Sequence, residues 1–119
     1  MSRVRLKDSW IAHTDVESAR DRLKLFFKRN NMSLINHEAG RWRVKQGSQL
    51  KTRLLGGWFV SAESLPKEAT VTLQQEDDGV LIKAVIEETM GFGFMDPLMK
   101  SKYEEYCEDW LDRLQDAIG

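Results

Sequence analysis

The sequence predicts an α+β fold in which an antiparallel sheet of five to six strands carries a long C-terminal helix across one face. Three observations lead to this fold class. Apolar and polar residues alternate with a period of two near the N-terminus, and they do so again between residues 32 and 88. Between these regions, and again after residue 96, apolar residues recur at the three- and four-residue steps of amphipathic helices. Strands that follow one another between two helices are typical of an antiparallel sheet with helices on one face.

The size and charge of the chain limit its classes of partner. A chain of 119 residues is expected to form one domain with one core, and no linker or repeat divides residues 1–119. The 18 Lys and Arg residues nearly balance 19 Asp and Glu residues, so the chain has no overall positive field that would attract phosphate. This balance argues against nucleic acid as a partner. Charged residues interrupt the apolar residues near the N-terminus, which argues against the apolar region of a signal peptide. No stretch approaches the ~18 apolar residues of a membrane span. We therefore expect a cytoplasmic protein with no membrane span.

The first two elements are a predicted strand over Val4 to Ile11 and a helix that starts near Thr14. Thr14 and Glu17 have the spacing of a capping box, in which each side chain bonds the other's free backbone N–H group. An asparagine pair at positions 30 and 31 ends the helix, because asparagine tolerates the left-handed conformation. The apolar stripe of this helix consists of Val16, Ala19, Leu23, Phe26 and Phe27.

The middle of the chain is predicted to form a meander of antiparallel strands. Turns separate short stretches with a two-residue period; most of these turns contain glycine, and one is Leu65-Pro66-Lys67. If Gly47, Ser48 and Gln49 form a hairpin loop, Trp42 lies opposite Leu54 and Arg43 lies opposite Arg53. A segment from Trp58 to Ala62 could extend the third strand beyond a glycine bend. The predicted strands are Ser33 to His37, Arg41 to Gln46, Leu50 to Leu55, Ala69 to Gln75 and Val80 to Glu88.

The C-terminal helix is predicted to begin at an Asp96 cap followed by Pro97. Its apolar stripe includes Cys107, which we interpret as a small buried apolar side chain. Because Cys107 is the only cysteine, an internal disulfide is excluded. The predicted core contains Leu6, Trp10, Leu23, Phe27, Trp42, Val44, Leu54, Val71, Leu73, Ile82, Ile86, Tyr103, Trp110 and Leu114.

This order of elements resembles the helix-grip layout of the START/Bet v1-like (polyketide cyclase-like) superfamily. The resemblance is carried by the strand at Val4 to Ile11, the helix from Thr14 to Asn31, the meander, and the helix from Asp96 to Ile118. It implies a curved sheet around a long C-terminal helix, with an apolar ligand held between them. The order is equally similar to the TBP-like arrangement of strand, helix, four strands and helix. Neither resemblance assigns a role to any residue.

A basic hairpin is one candidate binding site. Its five cations are predicted to lie on one face, where like charges opposite each other favour an anionic neighbour. That neighbour could be a phosphate, a nucleic acid or an acidic protein. The alternatives are a solvated outer face, or a face neutralised within the fold by an acid such as Glu63. The cations are Arg41, Arg43, Lys45, Lys51 and Arg53.

A second candidate is a group of aromatic residues and Met95 beside glycines, near the start of the C-terminal helix. Glycine lets the backbone approach a ligand closely, and these side chains offer adaptable apolar surface. The hypothesis is the rim of an apolar pocket between the sheet and that helix. The alternatives are that these residues complete the core, or that they form a patch for self-association into a homo-oligomer. The rim residues are Trp58, Phe59, Phe92, Phe94 and Met95.

No catalytic or metal-binding constellation is predicted. His13 and His37 are the only histidines, and no motif ties either of them to a nucleophile or to metal-ligand spacing. Gly91 and Gly93 lack the third glycine of a dinucleotide-binding loop, because Asp96 stands in its place. We therefore expect no cofactor and favour a protein that is not an enzyme.

The sequence thus ranks three functional hypotheses. The first is a non-enzymatic domain that binds a small apolar molecule between the sheet and the C-terminal helix. The second is an interaction or self-association module that uses the aromatic and glycine loops. The third is an anion or nucleic-acid binder that uses the basic hairpin.

Overall fold

The computed structural model describes residues 4–47, 65–89 and 97–119. In these residues five strands form one antiparallel sheet with two helices, which confirms the predicted α+β fold. The elements are β1 (Arg5–Ala12), α1 (Val16–Arg29), β2 (Ser33–Glu38), β3 (Arg41–Gln46), β4 (Lys67–Glu76), β5 (Gly79–Glu88) and α2 (Pro97–Ile118).

The strand order in the sheet is β1-β5-β4-β3-β2. After β1 the chain crosses through α1 to the opposite edge of the sheet, and it then returns strand by strand until β5 pairs with β1. Buried and more exposed residues alternate along β4 and β5, so one face of the sheet supports the core.

The predicted partner of β3 is wrong. Trp42 lies opposite Val71 of β4 rather than opposite Leu54, and Arg43 lies opposite Thr70 rather than opposite Arg53. The other side of β3 is occupied by β2. Gly47 has a φ of 93°, and a side chain there would clash with the backbone of Leu65. This close approach brings the end of β3 to the start of β4. The predicted strand from Leu50 to Leu55 lies outside the described residues.

Helix α1 starts one residue later than predicted. Asp15, not Thr14, is the N-cap, because its carboxylate accepts the Ser18 backbone N–H at 2.7 Å and the Ser18 hydroxyl at 3.1 Å. These hydrogen bonds lower the pKa of Asp15, with the backbone N–H of Ser18 as the largest cause. The predicted C-terminal end is confirmed: Asn31 has a φ of 56°, and the Met32 N–H donates to the Phe27 carbonyl at 2.9 Å.

The core lies between the sheet and the two helices. Trp110 of α2 is completely buried, meets Phe26 of α1 edge to face with ring centroids 5.4 Å apart, and donates its indole N–H to the Met32 sulfur at 3.2 Å. Of the predicted core residues, Leu6 and Trp10 are only partly buried, and Leu54 lies outside the described residues. The remaining predicted core residues are all buried: Leu23, Phe27, Trp42, Val44, Val71, Leu73, Ile82, Ile86, Tyr103, Trp110 and Leu114.

Candidate functional site

An apolar groove lies between the second half of α1 and the inner face of β2 and β3. Its volume is about 500 Å³. The floor consists of side chains that are more than nine-tenths buried, and Leu34 of β2 forms a wall that is 59% exposed. Lys24 and Lys28 lie on the helix side. The floor residues are Phe27, Met32, Trp42 and Val44. We refer to this feature as the α1–β3 groove.

An irregularity in β2 shapes the groove. Leu34 pairs with Val44 and His37 pairs with Trp42, and the register shifts between Leu34 and Asn36. In a regular strand Leu34 and His37 would point to opposite faces, because they are three residues apart. The bulge places both side chains on the face of Trp42 and Val44. No glycine marks this position, so the sequence pattern did not predict it.

His37 covers part of the groove floor. Its imidazole ring stacks on the Trp42 indole, with ring centroids 4.1 Å apart and an angle of 11° between the planes. His37 is exposed to solvent despite this contact. The stack gives the groove one aromatic wall that is open to solvent.

Side chains of α2 pack into the core beside the sheet. Five residues of α2 are completely buried, namely Tyr103, Cys107, Trp110, Leu114 and Ile118. Burial raises the pKa of the Cys107 thiol to about 11, and the nearby positive charge of Lys67 lowers it by a smaller amount. Cys107 is therefore a neutral buried thiol at pH 7, as its place in the apolar stripe predicted.

A buried polar cluster joins the start of β4 to α2. Lys67 is completely buried; its ammonium donates to the Leu65 carbonyl at 2.6 Å and lies 4.3 Å from the centre of the Tyr106 ring. The Tyr106 hydroxyl donates to Gln46 Oε1 at 2.7 Å, and the Tyr103 hydroxyl donates to the Pro66 carbonyl at 2.7 Å. This cluster was not predicted from the sequence, because Lys67 follows a proline and was interpreted as part of a turn. Its hydrogen bonds hold α2 to the sheet.

The basic hairpin is only partly described. Arg43 is ion-paired with Glu68, to which its Nε donates at 2.9 Å. Lys45 lies opposite the same Glu68, and Arg41 is exposed. Lys51 and Arg53 lie outside the described residues, as does Glu63, the acid predicted to neutralise this face. Anion binding by these cations remains a prediction, although Glu68 already compensates part of their charge.

The predicted rim of the apolar pocket also lies outside the described residues. This applies to all five of its side chains, so the pocket and the self-association patch remain predictions. They are Trp58, Phe59, Phe92, Phe94 and Met95.

Neither a metal centre nor a membrane-crossing helix is found in the described ranges. Within residues 4–47, 65–89 and 97–119, no group of three or more His, Cys, Asp or Glu side chains is placed to hold a metal ion. Neither helix in this part of the chain has the apolar length that a membrane crossing requires.

Comparison with known proteins identifies the fold but no family. No protein-family model and no curated protein matches the chain. Among solved structures, the chain is similar to protein MLL2253 from Mesorhizobium loti, with a TM-score of 0.57 and 9% identity over 96% of both chains. It also matches Ara h 8.0201, with a TM-score of 0.49 and 8% identity over 97% of both chains. A third match is TTHA0849 from Thermus thermophilus, with a TM-score of 0.47 and 11% identity over 97% of both chains. The chain therefore shares its fold with MLL2253 over nearly its whole length.

Proposed function

We propose that the protein is a non-enzymatic binding domain for a small apolar ligand, and that the α1–β3 groove holds this ligand. The observation that carries the proposal is the lining of the groove. An apolar floor lies beside the exposed Leu34, in a hollow whose volume of about 500 Å³ matches that of pockets for small organic molecules. A ligand that covers Leu34 and the stacked ring of His37 removes apolar surface from water, which favours binding.

The proposal moves the ligand away from the position predicted from the sequence. The prediction placed it between the sheet and α2, where the described side chains are packed against one another. The groove lies on the same face of the sheet but beside α1. The helix-grip resemblance supports a ligand on this inner face, since the helices of that layout cover an apolar site.

Binding of decanol tests the proposal, with displacement of the fluorescent probe Nile red as the readout. We expect the purified protein to bind both molecules. Leu34→Gln should weaken decanol binding roughly tenfold, because the variant loses about 1.4 kcal/mol of apolar contact. The neighbouring exposed Ile35 does not line the groove, so Ile35→Gln is a matched control that should stay within about twofold of wild type.

Two results would overturn this assignment. Absence of decanol and Nile red binding, together with no apolar molecule released on denaturation and detected by mass spectrometry, would rule out the function. Equal weakening by Leu34→Gln and Ile35→Gln would rule out the groove as the site. Both substituted side chains are exposed, so both variants are expected to fold.

A further inference from the structure

We infer that the α1–β3 groove selects single-chain amphiphiles with an anionic head, and that Lys24 and Lys28 bind this head. The inference rests on the proposed function, since it names the class of ligand for the same groove. It starts from the positions of three residues on α1. Lys24, Phe27 and Lys28 are spaced at three- and four-residue steps, so they lie on one side of the helix. Phe27 enters the floor while both lysines border the opening.

The two lysines place positive charge at the opening of the groove. Both are exposed, and neither makes an ion pair in the part of the chain that the structure describes. Cations four residues apart on a helix repel each other. An anion placed between them would be attracted by both ammonium groups.

Among the described residues that line the groove, none is Asp or Glu. A second hollow, on the outer face of the sheet, does contain an acidic residue, because Glu38 lines it. Arg43, which also lines that hollow, is already paired with Glu68. The α1–β3 groove thus combines an apolar floor with cations at its opening, and this arrangement is complementary to an alkyl chain that ends in a carboxylate.

The positions of the charges determine where each part of the ligand lies. Lysine side chains extend along apolar surface and keep their ammonium groups in water. The ligand head is therefore expected to remain at the solvent boundary while its chain covers Leu34 and the floor. Ion pairs at such a boundary are weak, and two of them should favour the anionic ligand by about tenfold.

Decanoate and decanol, compared below the critical micelle concentration of decanoate at pH 8 and low salt, test the inference. Wild type should bind decanoate about tenfold more tightly than decanol, and 0.5 M NaCl should reduce this preference. The double variant Lys24→Gln/Lys28→Gln should bind decanoate and decanol with equal affinity.

A matched control lies on the same helix. Arg22 and Arg29 border a smaller hollow of about 260 Å³ beside Ala117 of α2. The double variant Arg22→Gln/Arg29→Gln removes the same charge from α1 without changing the groove. It should keep the preference of wild type for decanoate.

The outcomes separate this inference from the proposed function. If neither ligand binds, the proposed function fails. If wild type binds both equally, the proposed function stands and the inference is overturned. A preference that persists without the two lysines, or that disappears equally in the arginine control, would also overturn it. Binding of wild type to anionic phospholipid vesicles but not to monomeric decanoate would contradict it, because the lysines would then bind a lipid surface.

Discussion

Two ionisable side chains, Lys67 of β4 and Cys107 of α2, are completely buried. The ammonium of Lys67 has the Leu65 carbonyl as a hydrogen-bond acceptor and the Tyr106 ring beside it, which offsets part of the cost of removing the charge from water. Cys107 has no comparable stabilisation of a thiolate, so burial raises its pKa to about 11. The raised pKa of Cys107 predicts how the stability of the protein depends on pH.

The free energy of unfolding should fall as the pH rises from about 9 to about 11. The native state holds the Cys107 proton up to about pH 11, whereas the ordinary thiol pKa is 9.0, so the unfolded chain releases its proton first. The loss attributable to this group is about 2 to 3 kcal/mol. Denaturant unfolding across this pH range, in wild type and in Cys107→Ala, measures it.

The comparison with Cys107→Ala cancels the titration of the lysines and tyrosines, which both proteins share. The variant should show a shallower decline in stability above pH 9. Identical declines in the two proteins would contradict a buried neutral thiol.

Sequence reasoning succeeded or failed at single residues for identifiable physical reasons. The segment from Thr14 to Ser18 offers two overlapping caps, Thr14 with Glu17 and Asp15 with Ser18, and only the backbone geometry selects the second. The bulge that turns Leu34 toward the groove has no glycine to reveal it. The burial of Cys107, by contrast, followed from its place in the helical stripe.

At the scale of elements, the apolar stripe of α2 determines how the helix packs. Along that stripe Tyr103, Cys107, Trp110, Leu114 and Ile118 are completely buried. Helix periodicity was therefore sufficient to predict the core on this side. Strand partners were harder to predict, because the hairpin rule assumes that neighbouring strands in the sequence pair. The contact of Gly47 with Leu65 instead pairs β3 with β4, across 20 residues of intervening sequence.

Trp110→Ala should destabilise the protein by about 3 to 5 kcal/mol, because it leaves a cavity and removes the contacts with Phe26 and Met32. Chemical denaturation measures this loss. Glu108→Ala, at an exposed position of the same helix, should change stability by less than about 0.5 kcal/mol. Unchanged stability of the Trp110 variant would show that α2 does not pack on the core in this way.

At the scale of the whole molecule, a balanced net charge conceals two surfaces of opposite sign. Helix α2 exposes six carboxylates, whereas the side of α1 that borders the groove carries Lys24 and Lys28. The overall composition argued against a general positive field. It could not show that cations and an apolar floor meet at one groove, since this depends on how α1 lies against β2 and β3. The exposed carboxylates are Glu104, Glu105, Glu108, Asp109, Asp112 and Asp116.

Backbone amide NMR during a titration with decanol tests the central claim most directly. Binding in the α1–β3 groove predicts that the largest chemical-shift changes occur at Lys28, Leu34, His37 and Val44. Changes concentrated instead at Trp58, Phe59, Phe92 and Phe94 would place the ligand at the pocket predicted from the sequence and contradict the groove assignment. No changes at any residue would contradict apolar ligand binding itself.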